Sequence, residues 1–205
     1  MPNWCINKVT VVGPKKDIDH FLARLEYSKD RAEERMNWEL EQFVRDLGYN
    51  QDFINNVFQV RGTFEQIGEP KQVGEEVAVE FEIETAWTPV YEAIETILKD
   101  RFPTLRAYSL AEEPGMAIYV NTDTEGAFYD TRFKVSIYVG GNEHVKYFSD
   151  SSKAYNFLVE HLNRPALAAF KRHTNAGKDW TEFSYRKELK NGQYHYARIY
   201  EFTNQ

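Results

Sequence analysis

Few residues of this chain could do covalent chemistry. Cys5 is the only cysteine, and its thiol would be a nucleophile if a base or a positive charge lowered its pKa. It alternates with Val9 and Val11 in a period of two, which is typical of a strand that packs in a core. Glu112 and Glu113 could supply an acid and a base, but neighbours on a turn seldom face each other across a cleft. We therefore interpret the thiol as packing and the acidic pair as a solvated turn.

The sequence predicts neither a metal site nor a cofactor. Its five histidines are scattered, and neither HExxH nor paired CxxC spacing occurs. The run from Asn121 to Gly126 is similar to the start of a calcium loop, yet the twelfth position is Arg132 where that loop needs a bidentate glutamate. We interpret the run as an Asn/Asp turn. The phosphate-binding patterns GxxxxGK[ST] and GxGxxG are missing too.

Composition restricts the partners and the compartment. The 205 residues include 25 Lys and Arg against 32 Asp and Glu, and the formal charge of -7 disfavours contact with nucleic-acid phosphates. A single cysteine, no signal segment and no apolar run of membrane-spanning length predict a cytoplasmic protein that does not contact membranes. The aromatic content of 15% suits both sheet surfaces and recognition sites.

Hydrophobic periodicity predicts the elements of the first half. Residues 4–12 alternate as a strand, and helical spacing follows over 15–27 and again over 30–47, where Met36 falls on the apolar side and Gly48 caps the end. Residues 57–60 are an ambiguous strand. Residues 77–84 alternate apolar side chains with glutamates, and a helix is predicted to begin at Thr88 as its N-cap, with Pro89 in the first turn.

The second half reads as short strands around one helix. Strands are predicted at 106–110, 117–121, 128–139 and 145–148, and a helix at 151–162 with Tyr155, Leu158, Val159 and Leu162 facing inward. Asn191-Gly192 predicts a two-residue hairpin turn that pairs Tyr185 with Arg198.

The order of these elements predicts an α+β fold. Strand, helix, insertion, strand, strand, helix, strand is the order of a ferredoxin-like split βαβ sandwich. The predicted architecture has a ferredoxin-like core over 1–122 with a helical insertion at about 28–75. An additional antiparallel β-rich C-terminal part, 123–205, would pack on that core.

Three motifs resemble the YubB ferredoxin-like domain family, which phages and plasmids carry. They are Pro2-Asn3-Trp4-Cys5-x-Asn7-x-Val9, Thr85-Ala86-Trp87-Thr88-Pro89, and the segment from Phe102-Pro103 to Glu113-Pro114-Gly115-Met116. The resemblance covers residues 1–122. It implies a ferredoxin-like core and a bacterial mobile-element setting. It implies no activity, because the family has no agreed catalytic residues to transfer.

Two groups of residues are candidates for binding a partner. Helices on one side of a split βαβ sheet leave the other side open, so Asn3, Trp4, Asn7 and Trp87 could form a surface near one end of that sheet. The second group lies in a basic aromatic tail, where residues from Lys171 to Arg198 include seven Lys and Arg against three acids. Its members are Tyr185, Tyr194, Tyr196 and Arg198. The alternatives are that the C-terminal strands or the insertion helix cover the first group and that the second group packs on the core sheet.

The sequence favours a binding protein over an enzyme. Our first hypothesis is an accessory protein of a phage or plasmid that binds another protein, of the host or of the mobile element, without catalysis. The alternative is single-stranded nucleic-acid binding through the tail. A third hypothesis is a hydrolase or transferase that uses Asn3, Asn7, Glu112 or Cys5 in a shared pocket. The oligomeric state is left open.

Overall fold

The structure is a computed structural model of the chain. It describes residues 3–36, 38–55, 61–139, 141–162, 171–174, 181–188 and 194–204. The chain forms two compact units, Met1–Met116 and Ala117–Gln205, called unit 1 and unit 2 below. The fold is mixed α+β with antiparallel sheets. The ambiguous strand at 57–60 lies outside the described residues.

Unit 1 contains five strands and four helices in the described ranges. In chain order they are β1 (Trp4–Gly13), α1 (Lys15–Arg35), α2 (Glu39–Asp46), α3 (Gln51–Phe53), β2 (Gly62–Ile67), β3 (Lys71–Val73), β4 (Glu76–Ala86), α4 (Tyr91–Arg101) and β5 (Arg106–Glu113). The strands form an antiparallel sheet in the order β2-β4-β1-β5, and β3 also pairs with β4. The register of β2 on β4 shifts between Phe64 and Gln66, which is a β-bulge.

One apolar core holds unit 1 together. The inward side chains of β1 and β4 pack against apolar residues of α1, α2 and α4. Phe21 of α1 is central, since its ring meets Phe43, Phe81 and Phe102 edge-on at centroid distances of 5.7, 5.7 and 5.2 Å. The predicted alternation of β1 is confirmed at its start, where Cys5 and Asn7 are buried and Trp4, Ile6 and Lys8 are exposed.

The structure corrects three of the helix predictions. The first helix continues past residue 27 to Arg35, and the break comes at Met36, which adopts a left-handed φ of 53° and is 95% exposed. The predicted helix at 30–47 is therefore the end of α1 and all of α2. Thr88 is not a cap, because α4 begins at Tyr91 with Val90 as its N-cap.

Unit 2 contains six strands and one helix in the described ranges. They are β6 (Ile118–Asn121), β7 (Phe133–Val139), β8 (Asn142–Phe148), α5 (Ser151–His161), β9 (Lys171–Thr174), β10 (Thr181–Glu188) and β11 (Tyr194–Glu201). A five-stranded antiparallel sheet runs β8-β7-β11-β10-β9. Ala154 and Leu158 of α5 pack on Val135, Ile137 and Ala197 of the sheet. Tyr155 and Val159, predicted to face inward, are exposed instead.

The hairpin register was predicted wrongly by one residue. Tyr185 lies opposite Ala197, and Arg198 lies opposite Ser184. The predicted turn residues Asn191 and Gly192 lie outside the described residues. Because residues along a strand alternate between faces, this shift separates Tyr185 from the register positions of Tyr196 and Arg198.

Asp123 organises the loop before β7. Its buried carboxylate accepts four backbone N–H groups, from Gly126, Ala127, Phe128 and Tyr129, at 2.6 to 3.1 Å. Burial alone would raise the pKa of Asp123, but these four donors outweigh it and hold the pKa below its usual value. The predicted Asn/Asp turn is thus confirmed.

No helix within the described ranges has both the length and the apolar character that crossing a membrane would require.

We expect Asp123→Asn to destabilise unit 2 by about 2 kcal/mol at neutral pH, because a neutral amide forms weaker bonds to the four donors and cannot accept from all of them. A lowered folded pKa means that the contribution is complete above the usual value of about 3.9 and disappears as the pH falls through the folded value. Urea denaturation followed by the amide signals of Ile137 and Ala197 measures the difference. Asp130→Asn, at an exposed position, is the control.

A constant difference between wild type and Asp123→Asn from pH 7 down to pH 2 would contradict this account of the loop.

Candidate functional site

Asn7 is a buried junction between two strands and a helix. Its amide nitrogen donates to the carbonyl oxygens of Cys5 and Ile83 and to Thr85 Oγ1 at 3.0, 3.1 and 3.0 Å. Its amide oxygen accepts the backbone N–H of Val90 at 2.9 Å, directly before α4. The side chain is fully buried and its hydrogen bonds go to protein groups. It therefore positions the surface above it and does not lie on that surface.

The groups considered for catalysis do not form a reactive set. Burial raises the pKa of the Cys5 thiol to about 12, so at neutral pH the side chain is an uncharged thiol that solvent does not reach. Glu113 is buried, contrary to the solvated turn that was predicted. Its two carboxylate oxygens accept the backbone N–H groups of Gly115 and Met116. The two hydrogen bonds stabilise a tight turn, which packs next to Asn3 at the start of β1.

Three of the four tryptophans of the chain lie at one end of the unit 1 sheet, where Trp4 opens β1 and Trp87 follows β4. We call Trp4, Trp38, Trp87 and Arg61 the tryptophan corner. Trp4 is 38% exposed and its ring contacts that of Trp38 at a centroid distance of 5.9 Å. The Arg61 guanidinium lies 5.0 Å from the Trp38 ring centroid, within the range of a cation–π contact.

Trp87 combines exposure with an unusual backbone. It is 46% exposed and has a φ of +75°, a left-handed conformation that is an outlier for a bulky residue. The conformation is held from both sides. The Trp87 N–H donates to the Asn3 carbonyl oxygen at 2.9 Å, and Thr85 Oγ1 donates to the Thr88 carbonyl oxygen at 2.6 Å. Strain of this kind often marks a functional position.

Close backbone packing fixes the corner. A Cβ on Gly62 would lie 2.3 Å from the Glu84 carbonyl oxygen, so only glycine lets β2 approach β4 there. A Cβ on Gly115 would lie 2.6 Å from Asn3 Nδ2 and 2.8 Å from Glu113 Oε1. Asn3, predicted as a binding residue, is half-buried and lies between the turn before Met116 and the start of Trp87.

The second predicted surface lies on the sheet of unit 2. Tyr138 and Tyr196 are register partners whose rings stack at 5.4 Å and 10°. The Arg198 guanidinium lies 5.4 Å from the Tyr196 centroid, and the Tyr196 hydroxyl donates to Glu143 at 3.0 Å. Desolvation and then that carboxylate raise the pKa of Tyr196. Of Tyr185 and Tyr194, the backbone shows only that they lie opposite Ala197 and Glu188.

The two units differ in charge. Unit 1 has 13 basic and 22 acidic residues and unit 2 has 12 and 10, so the formal charges are -9 and +2. In the part of the chain that is described, no group of three or more His, Cys, Asp or Glu side chains is arranged to hold a metal ion.

Sequence reasoning missed Trp38 and Arg61. Trp38, the N-cap residue of α2, lies inside the helix predicted at 30–47 but not among the apolar residues of its predicted stripe, and Arg61 precedes β2, outside any predicted element. The available signal was compositional, since tryptophan is an uncommon residue type and Trp4 and Trp87 lie near predicted element ends.

Comparisons of the chain with protein-family models, with curated proteins and with solved structures find no match. The resemblance to the YubB family stays a prediction.

We expect Trp87→Gly to be more stable than Trp87→Ala by about 1 kcal/mol, because both remove the ring but only glycine adopts a positive φ without a steric cost. Urea denaturation of the two variants measures the difference. Tyr27, exposed in the middle of α1, is the control position: Tyr27→Gly should there be less stable than Tyr27→Ala by about 1 kcal/mol. Equal or reversed stability at position 87 would contradict the strain.

Proposed function

We propose that this protein binds another protein through the tryptophan corner and that it does so without catalysis. The single observation that carries the proposal is Trp87, a large aromatic side chain that is almost half exposed on a backbone that disfavours it. A buried tryptophan would compensate for that strain by packing, but this one leaves much of its ring in water. Aromatic anchors of this type contribute a large share of the binding energy at protein interfaces.

The neighbouring residues support this reading. Trp4 adds a second exposed indole. Its register partner on β4 is Ala86, the residue directly before Trp87. Ile6, 39% exposed, extends the apolar surface along β1. A surface of scattered single apolar residues would need no explanation, but adjacent large ones indicate an interaction site.

We also propose that unit 1 is a ferredoxin-like sandwich. Its support is the order β2-β4-β1-β5, fully antiparallel, with a helical connection after β1 and another between β4 and β5. The phage or plasmid setting and the cytoplasmic location depend on the sequence alone and stay predictions.

A second candidate function is single-stranded nucleic-acid binding through unit 2. It is favoured by the charge of +2 and by Tyr138, Tyr196 and Arg198 on one sheet. Its weakness is that Tyr196 already stacks on Tyr138 and lies beneath Arg198, so its ring faces are in use. Base stacking needs a free face.

If that candidate holds, a fluorescent dT15 oligonucleotide should bind at low salt with a steep salt dependence, and Tyr196→Ala should weaken it by about tenfold. Fluorescence anisotropy measures the affinity, and Tyr155→Ala on α5 is the control. Absence of binding at low salt would remove this candidate.

The main proposal is tested by photo-crosslinking. p-Benzoylphenylalanine replaces Trp87 in one variant and Tyr27 in another, and each is irradiated in a bacterial lysate. We expect an adduct that is specific to position 87. The crosslinked protein, once purified, should bind wild type saturably and bind Trp87→Gly at least about tenfold more weakly, the loss typical of a central tryptophan. The same adducts at both positions, or equal affinity for Trp87→Gly, would contradict the proposal.

A further inference from the structure

The exposed face of β1 is flanked by carboxylates on both sides. Ile6 pairs with Glu84 of β4 and with Glu112 of β5. Register partners of a sheet lie on the same face, so both glutamates lie on the solvent side with Ile6. Strands are about 4.8 Å apart, which places the two glutamate Cα atoms about 10 Å from each other, one on each side of Ile6. Two glutamate side chains can reach one cation across that distance.

The same face continues into the tryptophan corner. Trp4 lies two residues from Ile6 on β1, so the two side chains share the face. The corner already contains one cation–π contact, between Arg61 and Trp38. A guanidinium on an indole is therefore a geometry that this part of the molecule adopts with its own residues.

The acidic residues around this face favour a positively charged ligand. Unit 1 carries -9, and Glu80 and Glu82 extend the acidic column of β4 beyond Glu84. Lys8, between Glu82 and Leu110, is the cation of the β1 column on this face. Neither Lys8 nor Glu84 forms an ion pair with any residue that the structure describes. A phosphate backbone would be repelled here, whereas a basic partner would be attracted.

We propose that this face binds an arginine side chain of the partner, with its guanidinium between Glu84 and Glu112 and its aliphatic stem over Ile6. The inference rests on the proposed function and names the chemistry of its partner, a basic protein segment that also carries an apolar residue for Trp4 and Trp87. Arginine suits the site better than lysine, because its planar group bonds two carboxylates at once and stacks on indoles.

The test uses three peptides and NMR of the full chain. The peptides are acetyl-Ala-Arg-Leu-Arg-Ala-amide and its lysine and glutamine counterparts. We expect the arginine peptide to shift the Ile6 amide and the Trp4 and Trp87 indole signals. The lysine peptide should bind about fivefold more weakly and the glutamine peptide should cause no shift. Binding should weaken as salt is added, since the contact is partly electrostatic.

Paired charge variants locate the contact. Glu84→Gln with Glu112→Gln should weaken the arginine peptide by at least about tenfold. Glu33→Gln with Glu34→Gln removes the same charge from exposed positions of α1 and should change the affinity by less than about twofold. Equal weakening by both pairs, shifts confined to other surfaces, or displacement of the peptide by dT15 would overturn the inference.

The same variants separate this inference from the proposed function. If the protein crosslinked at position 87 binds the Glu84 and Glu112 variant as tightly as wild type, the inference fails and the proposed function stands. If the arginine peptide shifts Ile6 and depends on the two glutamates while no adduct forms at position 87, the cation site stands and the proposed function fails.

Discussion

The hydrogen bonds of Asn7 are the constraint on which the unit 1 surface depends. One side chain satisfies polar groups of β1, of β4 and of the residue before α4, all in a site without water contact. Each such group left unsatisfied would cost about 1 to 3 kcal/mol. The amide therefore fixes where β4 ends and α4 begins. Trp87 lies between these two points, and its backbone conformation follows from the path that Asn7 imposes.

Aromatic residues serve opposite purposes in the two units. In unit 2 the tyrosines contact each other and nearby cations, as in the stacked pairs Tyr138–Tyr196 and Tyr119–Tyr200. In the corner, the indoles of Trp4 and Trp87 keep much of their surface in water. The 15% aromatic content could not separate these uses, because composition does not tell which rings satisfy one another. The ring contacts of the structure separate the two uses. They favour unit 1 as the binding surface, even though unit 2 has the more obvious basic aromatic sequence.

The period-two pattern at the start of β1 was interpreted correctly, but the break between α1 and α2 was not. The alternation of Cys5 and Asn7 with Trp4 and Ile6 predicted which side of β1 is buried, since period two leaves no other arrangement. The break at Met36 was missed because apolar residues continue at helical spacing through this position. Its left-handed backbone conformation is one that glycine usually marks in a sequence, and here the residue is a methionine.

The site was predicted in part for a similar reason. Asn3, Trp4 and Trp87 were predicted as binding residues from strand alternation and from the junction before α4. Arg61 and Trp38 meet because β2 and α2 bring them together, a long-range contact that local periodicity does not encode. Asn7 was predicted to bind a partner although its strand face is the buried one, since an asparagine on a core strand face gives no sign of how many buried groups it satisfies. The register of β10 on β11 was predicted from a turn motif alone, and the observed register differs from it by one residue.

The bulge in β2 bears on how a partner can approach. Among the strands that the structure describes in unit 1, β2 pairs only with β4, and sheet edges of this kind can pair with a strand of another chain. The shift between Phe64 and Gln66 interrupts the regular row of donors and acceptors, and the charged Glu65 lies at that point. The bulge therefore disfavours the addition of a partner strand along the β2 edge. Selectivity between partners then depends on the shape and charge of side chains.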